Sequence, residues 1–372
     1  MKYASLGMTL AVIGLASPVL ADTTPRLDPA IELQRQQQEQ LIQRQIQAPR
    51  PSVESEGPRV PAEPSSVACV NVTKVTVSGV RVLASSDLLP ALSPFEGRCL
   101  TQADVGQLLQ AINALYVDRG YITSRAYLPE QDVSDGLLRI VVIEGTVEDI
   151  LLNDNQRKAD RRRVVMAFPS RNNQVLRLAD IEQGVDQLNR APSAQAAVAM
   201  EPGHLAGKTR VVVKTVDDGT WRAGLALDNN GEEATGELKT TGTLDKDNLL
   251  EANDVWQLAL SHTEDTRALS LNVSVPYGYW TFSSSYSESS YTNDLGGGLA
   301  VKGDSHSALF NADYLFYRDT HHQLSVISGV TSRESGRDVA GASLLPDGSS
   351  TARLGLRWMR RDDVRTVFLQ TA

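Results

Sequence analysis

The sequence predicts an exported protein in two parts: a pair of small α+β units, then a transmembrane antiparallel β-barrel wall. Three observations predict it. The chain opens on a short apolar leader, its middle repeats one β-α-α-β-β order twice, and beyond Asp217 apolar residues recur with period two. Hydrophobic residues are 41% and charged residues 22% of the 372, which fits neither a disordered chain nor a helical membrane protein. A formal net charge of −9 argues against a nucleic-acid binder working by general phosphate neutralisation.

Residues 1–21 read as a secretory signal. Lys2 supplies the positive start, Leu6 to Leu15 the apolar run, and Val19-Leu20-Ala21 the small residues of a cleavage site before Asp22. The run is shorter than the roughly 20 apolar residues a membrane-spanning helix needs. The mature chain then enters an oxidising compartment, where its two cysteines, Cys69 and Cys99, are most simply one disulfide. Two sulfurs without a neighbouring histidine make a poor metal set.

Residues 22–47 hold a Gln-rich segment in which Asp28 and Pro29 open a helix with few apolar positions, either a marginal helix or a polar plug for a water-filled cavity. Residues 48–66, with Pro49, Pro51, Pro58, Pro61 and Pro64, are a linker. Residues 67–144 form the first unit. Val70, Val72, Val75 and Val77 mark its first strand. Thr101 opens a helix with Asp104 in the capping-box position, and Val105, Leu108, Leu109, Ile112, Leu115 and Tyr116 give that helix one buried face. Gly120 ends it, and strands follow over 122–128 and 137–143. Residues 145–217 repeat the order: a strand over 147–152, helices over 157–168 and 178–188, and strands over 194–200 and 209–216.

Residues 218–372 change texture. Trp221, Ala223, Leu225 and Leu227 alternate with Arg222, Gly224, Ala226 and Asp228. The same alternation runs through Leu269–Val275, Ala308–Phe316 and Leu354–Trp358. One face is lipophilic and the other mostly small, polar or charged, the pattern of a barrel wall with an aqueous lumen. Asn229-Asn230-Gly231, Asn293-Asp294 and Asp347-Gly348 are the expected hairpin turns.

Four stretches carry a resemblance. Gly120-Tyr121-Ile122-Thr123-Ser124-Arg125 with Leu128-Pro129 comes first, and Asn189-Arg190-Ala191-Pro192-Ser193 with Glu201-Pro202-Gly203 second. Asn229-Asn230-Gly231-Glu232-Glu233-Ala234-Thr235-Gly236 and Pro276-Tyr277-Gly278-Tyr279-Trp280 follow in order. Together they resemble the two-partner-secretion outer-membrane transporters of the haemolysin secretion/activation family, over nearly the whole mature chain. The resemblance implies a plug helix, a linker, two polypeptide-transport-associated (POTRA) domains and a 16-stranded barrel. It also implies a Cys69–Cys99 disulfide in the first POTRA domain. Such a barrel needs over about 300 residues, whereas 155 follow Asp217, and the family's Val-Arg-Gly-aromatic loop signature is absent, so the expectation is a C-terminally truncated chain.

The function implied is transfer of a secreted partner protein, held by its N-terminal secretion domain, from the periplasm to the cell surface. β-Augmentation is the natural holding mode. The expected edges are 122–128 and 194–200, with Tyr121, Ile122, Arg125, Tyr127, Gln195 and Val198 as candidate partner-binding residues. Arg222, Asp228, Asn272, Asp313, Arg353 and Arg357 are candidates for the lumen wall. The other partner is outer-membrane lipid. No nucleic acid, nucleotide, cofactor, metal or catalysed reaction is expected: Walker-type loops and hydrolase motifs are missing, and adjacent His321 and His322 would face opposite ways on a strand. Arg161-Arg162-Arg163 reads as a solvated helix face. An outer-membrane protein-assembly factor of the same superfamily and a soluble periplasmic binding module are the alternatives.

Overall fold

The computed structural model describes residues 53–54, 69–153, 157–297, 299–362 and 366–371. The leader, the Gln-rich segment and all of the linker but Val53–Glu54 lie outside the described residues.

Strand β1 is Val53–Glu54. The first α+β unit then contains β2 (Cys69–Val72), β3 (Lys74–Ser78), helix α1 (Ser85–Leu92), a 3-10 turn at Ser93–Phe95, β4 (Arg98–Thr101), α2 (Gln102–Asp118), β5 (Arg125–Tyr127) and β6 (Leu137–Ile143). The Thr101 hydroxyl accepts from the Asp104 amide at 3.2 Å while the Asp104 carboxylate accepts from the Thr101 amide at 2.8 Å, so the predicted capping box forms. Leu108, Ile112 and Tyr116 follow at intervals of four, fully buried along one face of α2. They pack on a three-stranded sheet of order β3-β6-β5, with β3 and β6 parallel. The β2–β4 pair stands apart from that sheet and carries the Cys69–Cys99 disulfide, with Cα atoms 5.4 Å apart.

The second unit runs β7 (Thr146–Leu152), α3 (Lys158–Ala167), α4 (Leu178–Asn189), β8 (Ala194–Pro202) and β9 (Lys208–Asp217). Its sheet order is β1-β8-β9-β7. Phe168, Ile181, Val185, Leu188, Val211 and Val213 are wholly buried between helices and sheet. Gly184 lets α4 lie against the Phe168 ring, since a Cβ there would fall 2.1 Å from the ring.

Beyond Asp217 every neighbour is antiparallel. The strands are β10 (Trp221–Asp228), β11 (Lys239–Asp247), β12 (Val255–His262), β13 (Thr266–Tyr277), β14 (Trp280–Asp294), β15 (Ala300–Arg318), β16 (His322–Val339), β17 (Ala342–Ser343), β18 (Asp347–Arg361) and β19 (Thr366–Thr371). They form one 10-stranded sheet in sequence order, with the short β17 paired off β16. Two expected turns move. Asn293-Asp294 ends β14 inside the ladder, opposite Val301 and Ala300, with Gly296 and Gly297 beyond it at positive φ. Asp347-Gly348 lies inside the ladder opposite Ser335 and Glu334, and the bend sits at Ala340-Gly341, both at positive φ. β14, β15, β16 and β18 hold 15 to 19 residues each, so at about 3.3 Å per residue they outreach a bilayer core of about 30 Å.

The two faces of this sheet differ as the alternation requires. Leu225, Leu227, Phe310, Leu354 and Leu356 point to one side and are half to three-quarters exposed, so no protein core covers them. All four tryptophans (Trp221, Trp256, Trp280 and Trp358) sit on this lipophilic face at the end next to the α+β units, and Trp280 stacks on Tyr314 at 4.5 Å. That is the position of an interfacial aromatic girdle. The opposite face carries Ser261, Ser270, Ser287, Ser305 and Ser307. Among the described residues no helix is long and apolar enough to cross a membrane.

Candidate functional site

The two expected partner-binding edges differ. β5 is an edge, but only Arg125–Tyr127 is strand, and of its candidates Tyr127 is half exposed. β8 is not an edge as expected. β1 adds to it in parallel, Val53 opposite Val198 and Glu54 opposite Ala199, while β9 pairs its other side. The Val198 side chain is buried in the core of its own unit and Gln195 is exposed.

The Gly120–Arg125 motif lies at the joint between the two units. Gly120, at φ +83°, closes α2, and its carbonyl accepts from the Leu178 amide at the start of α4 at 2.8 Å. Tyr121 packs on the first core, edge-on to Tyr116, whereas Ile122 packs on the second core. The Ser124 hydroxyl, fully buried, accepts from the Gly145 amide at 3.2 Å. Arg125 donates to the carbonyls of Ile122 and Ser124, both at 2.8 Å. Tyr121 and Ile122 therefore tie the two units together and Arg125 braces the loop between them, while all three side chains stay half-buried.

A second joint hangs the pair from the wall. Arg163 of α3, expected on a solvated helix face, is buried: it donates to the Asp217 carboxylate at 2.6 and 3.1 Å and to the Asn253 side chain at 2.9 Å. Arg190 of the Asn189–Ser193 motif reaches the Ser274 hydroxyl and, at 2.6 Å, the Asn253 carbonyl. From the wall, Arg318 enters α4 and donates to Glu182 (3.2 Å), Gln183 (3.1 Å) and Asp186 (2.7 Å). The Tyr277–Trp280 motif is the turn that α4 grips. Gln183 and Gln187 both donate to the Gly278 carbonyl, at 3.2 and 3.1 Å, and the Tyr279 hydroxyl donates to Asp180. Burial, reinforced by Asp180, raises the Tyr279 hydroxyl far above its ordinary range. The buried i, i+4 pair Gln183 and Gln187, beside the apolar stripe of α4, is the signal that this helix packs on two sides.

Asp319, in the turn after β15, accepts from the amides of His321 and His322, both at 2.7 Å. Although burial pushes its carboxyl up, those amides hold it down at about 2. Among the described residues no group of three or more acidic, His or Cys side chains could hold a metal.

All six wall candidates stand on the face opposite the lipophilic one. Arg222 is drawn into the joint, donating to Asp247 at 2.6 Å, and Asp247 also accepts from the Ser193 amide at 3.0 Å. Asp228 opposes Lys239 at the far end of β10. Asn272 is buried beside Ser285. Arg357 pairs with Asp313, and Arg353 donates to Asn311 at 2.8 Å.

This arrangement has relatives. Residues 207–371 match the family model described as haemolysin secretion/activation protein ShlB/FhaC/HecB, residues 70–145 a ShlB-type POTRA domain, and residues 146–202 a POTRA domain. The chain belongs to the haemolysin secretion/activation family. It is 31% identical over 350 residues to the outer membrane transporter CdiB of Dickeya dadantii, covering 90% of this chain and 60% of that one. It is 31% identical over 326 residues to the haemolysin transporter protein ShlB of Serratia marcescens, covering 85% and 55%. The solved structure of CdiB from Escherichia coli superposes with a TM-score of 0.80 at 28% identity, over 91% of this chain and 65% of that one. The chain thus spans about 60% of the length of such relatives. The two α+β units are POTRA 1 and POTRA 2 on the periplasmic side, and the sheet beyond Asp217 is outer-membrane wall.

Proposed function

We propose that the protein moves a secreted partner of haemolysin or adhesin type from the periplasm to the cell surface by two-partner secretion. It catalyses no reaction and uses no nucleotide. The observation that carries this reading is the two-faced wall, bare apolar on one side and polar on the other, with the POTRA pair fixed beneath its rim. The partner's N-terminal secretion domain is held on the POTRA domains and its chain passes along the polar face. Folding outside the cell makes the transfer directional.

β8 is the best holding edge, because it offers nine residues of backbone against three in β5. An incoming strand there must replace β1, which among the described residues pairs with β8 at Val53 and Glu54. The test is a Glu54→Cys, Ala199→Cys double variant, which places one cysteine on each side of a register pair. Oxidised, it should export the partner several-fold less than the parent, and reduction should restore export. Undiminished export with the cross-link formed would rule out β8 as the holding edge.

A further inference from the structure

On β16 and β18 the inner face of the wall is basic. The register sets Gly329 against Arg353 and Ser325 against Arg357, and alternation puts Arg333, Arg337 and Arg361 on the same face, opposite Val330, Leu354 and Leu356. Among the described residues of these two strands the inner face holds one acid, Asp347, at the end remote from POTRA 2. On β10 and β11 the balance is reversed. There Asp228, Asp245 and Asp247 share the inner face with Arg222 and Lys239.

The sequence spacing makes a ladder of these arginines. Arg353, Arg357 and Arg361 recur every fourth residue, roughly 13 Å apart, so the three span about 26 Å, near the height of a barrel's apolar band. Gly329 prepares a bed for one rung. Arg353 crosses it to reach the Asn311 amide oxygen on β15, and a Cβ at Gly329 would fall 2.9 Å from the Arg353 Nε. Its partner is a neutral amide and the side chain is exposed, so the positive charge faces water uncancelled. Arg357 is braced differently, paired with Asp313 and with its guanidinium over the Phe368 ring at 5.7 Å.

We infer that this arginine ladder is an anion track, binding the carboxylates of an acidic stretch of the polypeptide in transit and favouring small anions in the water beside it. The inference rests on the conduit reading above. Like charges on a low-dielectric wall concentrate their field in the adjoining water. Guanidinium groups offer carboxylates a two-pronged fork. Exposed pairs of this kind hold weakly, so a chain is handed between the exposed rungs Arg353 and Arg337 and is not arrested.

Planar-bilayer recording of the intact protein tests it. At low salt, Arg353→Gln and Arg337→Gln should each lower the chloride-to-potassium permeability ratio about fourfold, as expected when one charge some 8 Å from the ion path in water is lost and the anion and cation respond about twofold in opposite senses. Arg353→Lys should keep the parent ratio. An oligoglutamate peptide added from the periplasmic side should block the parent channel for longer than the Gln variants, which separates the polypeptide from the small ion as occupant. Channels whose ratio and blocking times are unchanged in both Gln variants would overturn the anion track and leave the conduit standing. A protein that conducts no current at all would overturn both.

Discussion

Arg318 of the wall donates to Asp186 of POTRA 2 at 2.7 Å, with the arginine side chain 5% exposed, and this contact bridges 132 residues of sequence. Removing one member of a buried charged cluster typically costs about 3–5 kcal/mol, because the others lose their counter-charge. Arg318→Ala should therefore leave Glu182 and Asp186 facing each other and loosen POTRA 2 from the rim. Spin labels on POTRA 2 and on the extracellular end of β13 should show a broadened distance distribution. Arg318→Glu combined with Asp186→Arg should narrow it again. A distribution as sharp as the parent's in Arg318→Ala would mean that the remaining contacts fix the angle unaided.

Gly184 and Phe168 make a steric rather than an electrostatic prediction. A methyl group at residue 184 meets a fully buried ring, so Gly184→Ala should destabilise POTRA 2 by about 1–3 kcal/mol, the usual cost of overpacking. Amide exchange along β7 and β9 should speed up accordingly. Pairing it with Phe168→Leu, which vacates part of the ring's volume, should cost less than the sum of the two single changes.

What sequence alone reveals divides along range. The capping box at Thr101 and Asp104 and the Leu108, Ile112 and Tyr116 face are set within one helix, and the wall's two faces are set by alternation along each strand, so all of these were legible. The joints were not. Arg163 sits in a run of three arginines that looks solvated, and what buries it, Asp217 and Asn253, lies 54 and 90 residues away. β8 reads as an edge because its neighbour, Val53–Glu54, comes from a Pro-rich linker with no period of its own. Three of the four stretches that carry the family resemblance prove to be pieces of backbone where units meet: Gly120–Arg125 between the POTRA domains, Asn189–Ser193 and Tyr277–Trp280 between POTRA 2 and the wall. A residue type demanded by a joint looks, in one sequence, the same as one demanded by a partner.

The Cys69–Cys99 bond closes a loop of 30 residues within POTRA 1. In the chain-entropy account that constraint is worth about 3–4 kcal/mol. Cys69→Ser with Cys99→Ser should lower the denaturant midpoint of POTRA 1, read by exchange at Leu108 and Ile112, while exchange in POTRA 2 and the wall stays as in the parent. Equal loosening of all three parts would show that POTRA 1 does not unfold as a unit.

Asp104 sets the acid limit of the same domain. Its carboxyl is held below the ordinary 3.8, first by the Thr101 hydroxyl, then by the Thr101 amide, with Arg98 adding a smaller pull. A carboxyl whose folded value lies below its unfolded one stabilises the fold above the unfolded value, and that contribution fades as pH falls from about 3.8 through the folded value. Asp87 is lowered in the same direction, chiefly by its bond from Arg119 and then by the Ala84 amide, so the start of α1 loses support in the same window. The expected outcome is that POTRA 1 keeps its stability from neutrality down to about pH 4 and then weakens steeply, with exchange in the first turn of α2 rising before exchange at Ile112. Asp104→Asn forfeits this contribution at every pH. It should thus be less stable than the parent at pH 7, with a shallower further loss below pH 4. If parent and variant instead ran parallel from pH 7 to pH 3, the capping carboxylate would not be the group whose protonation loosens the domain.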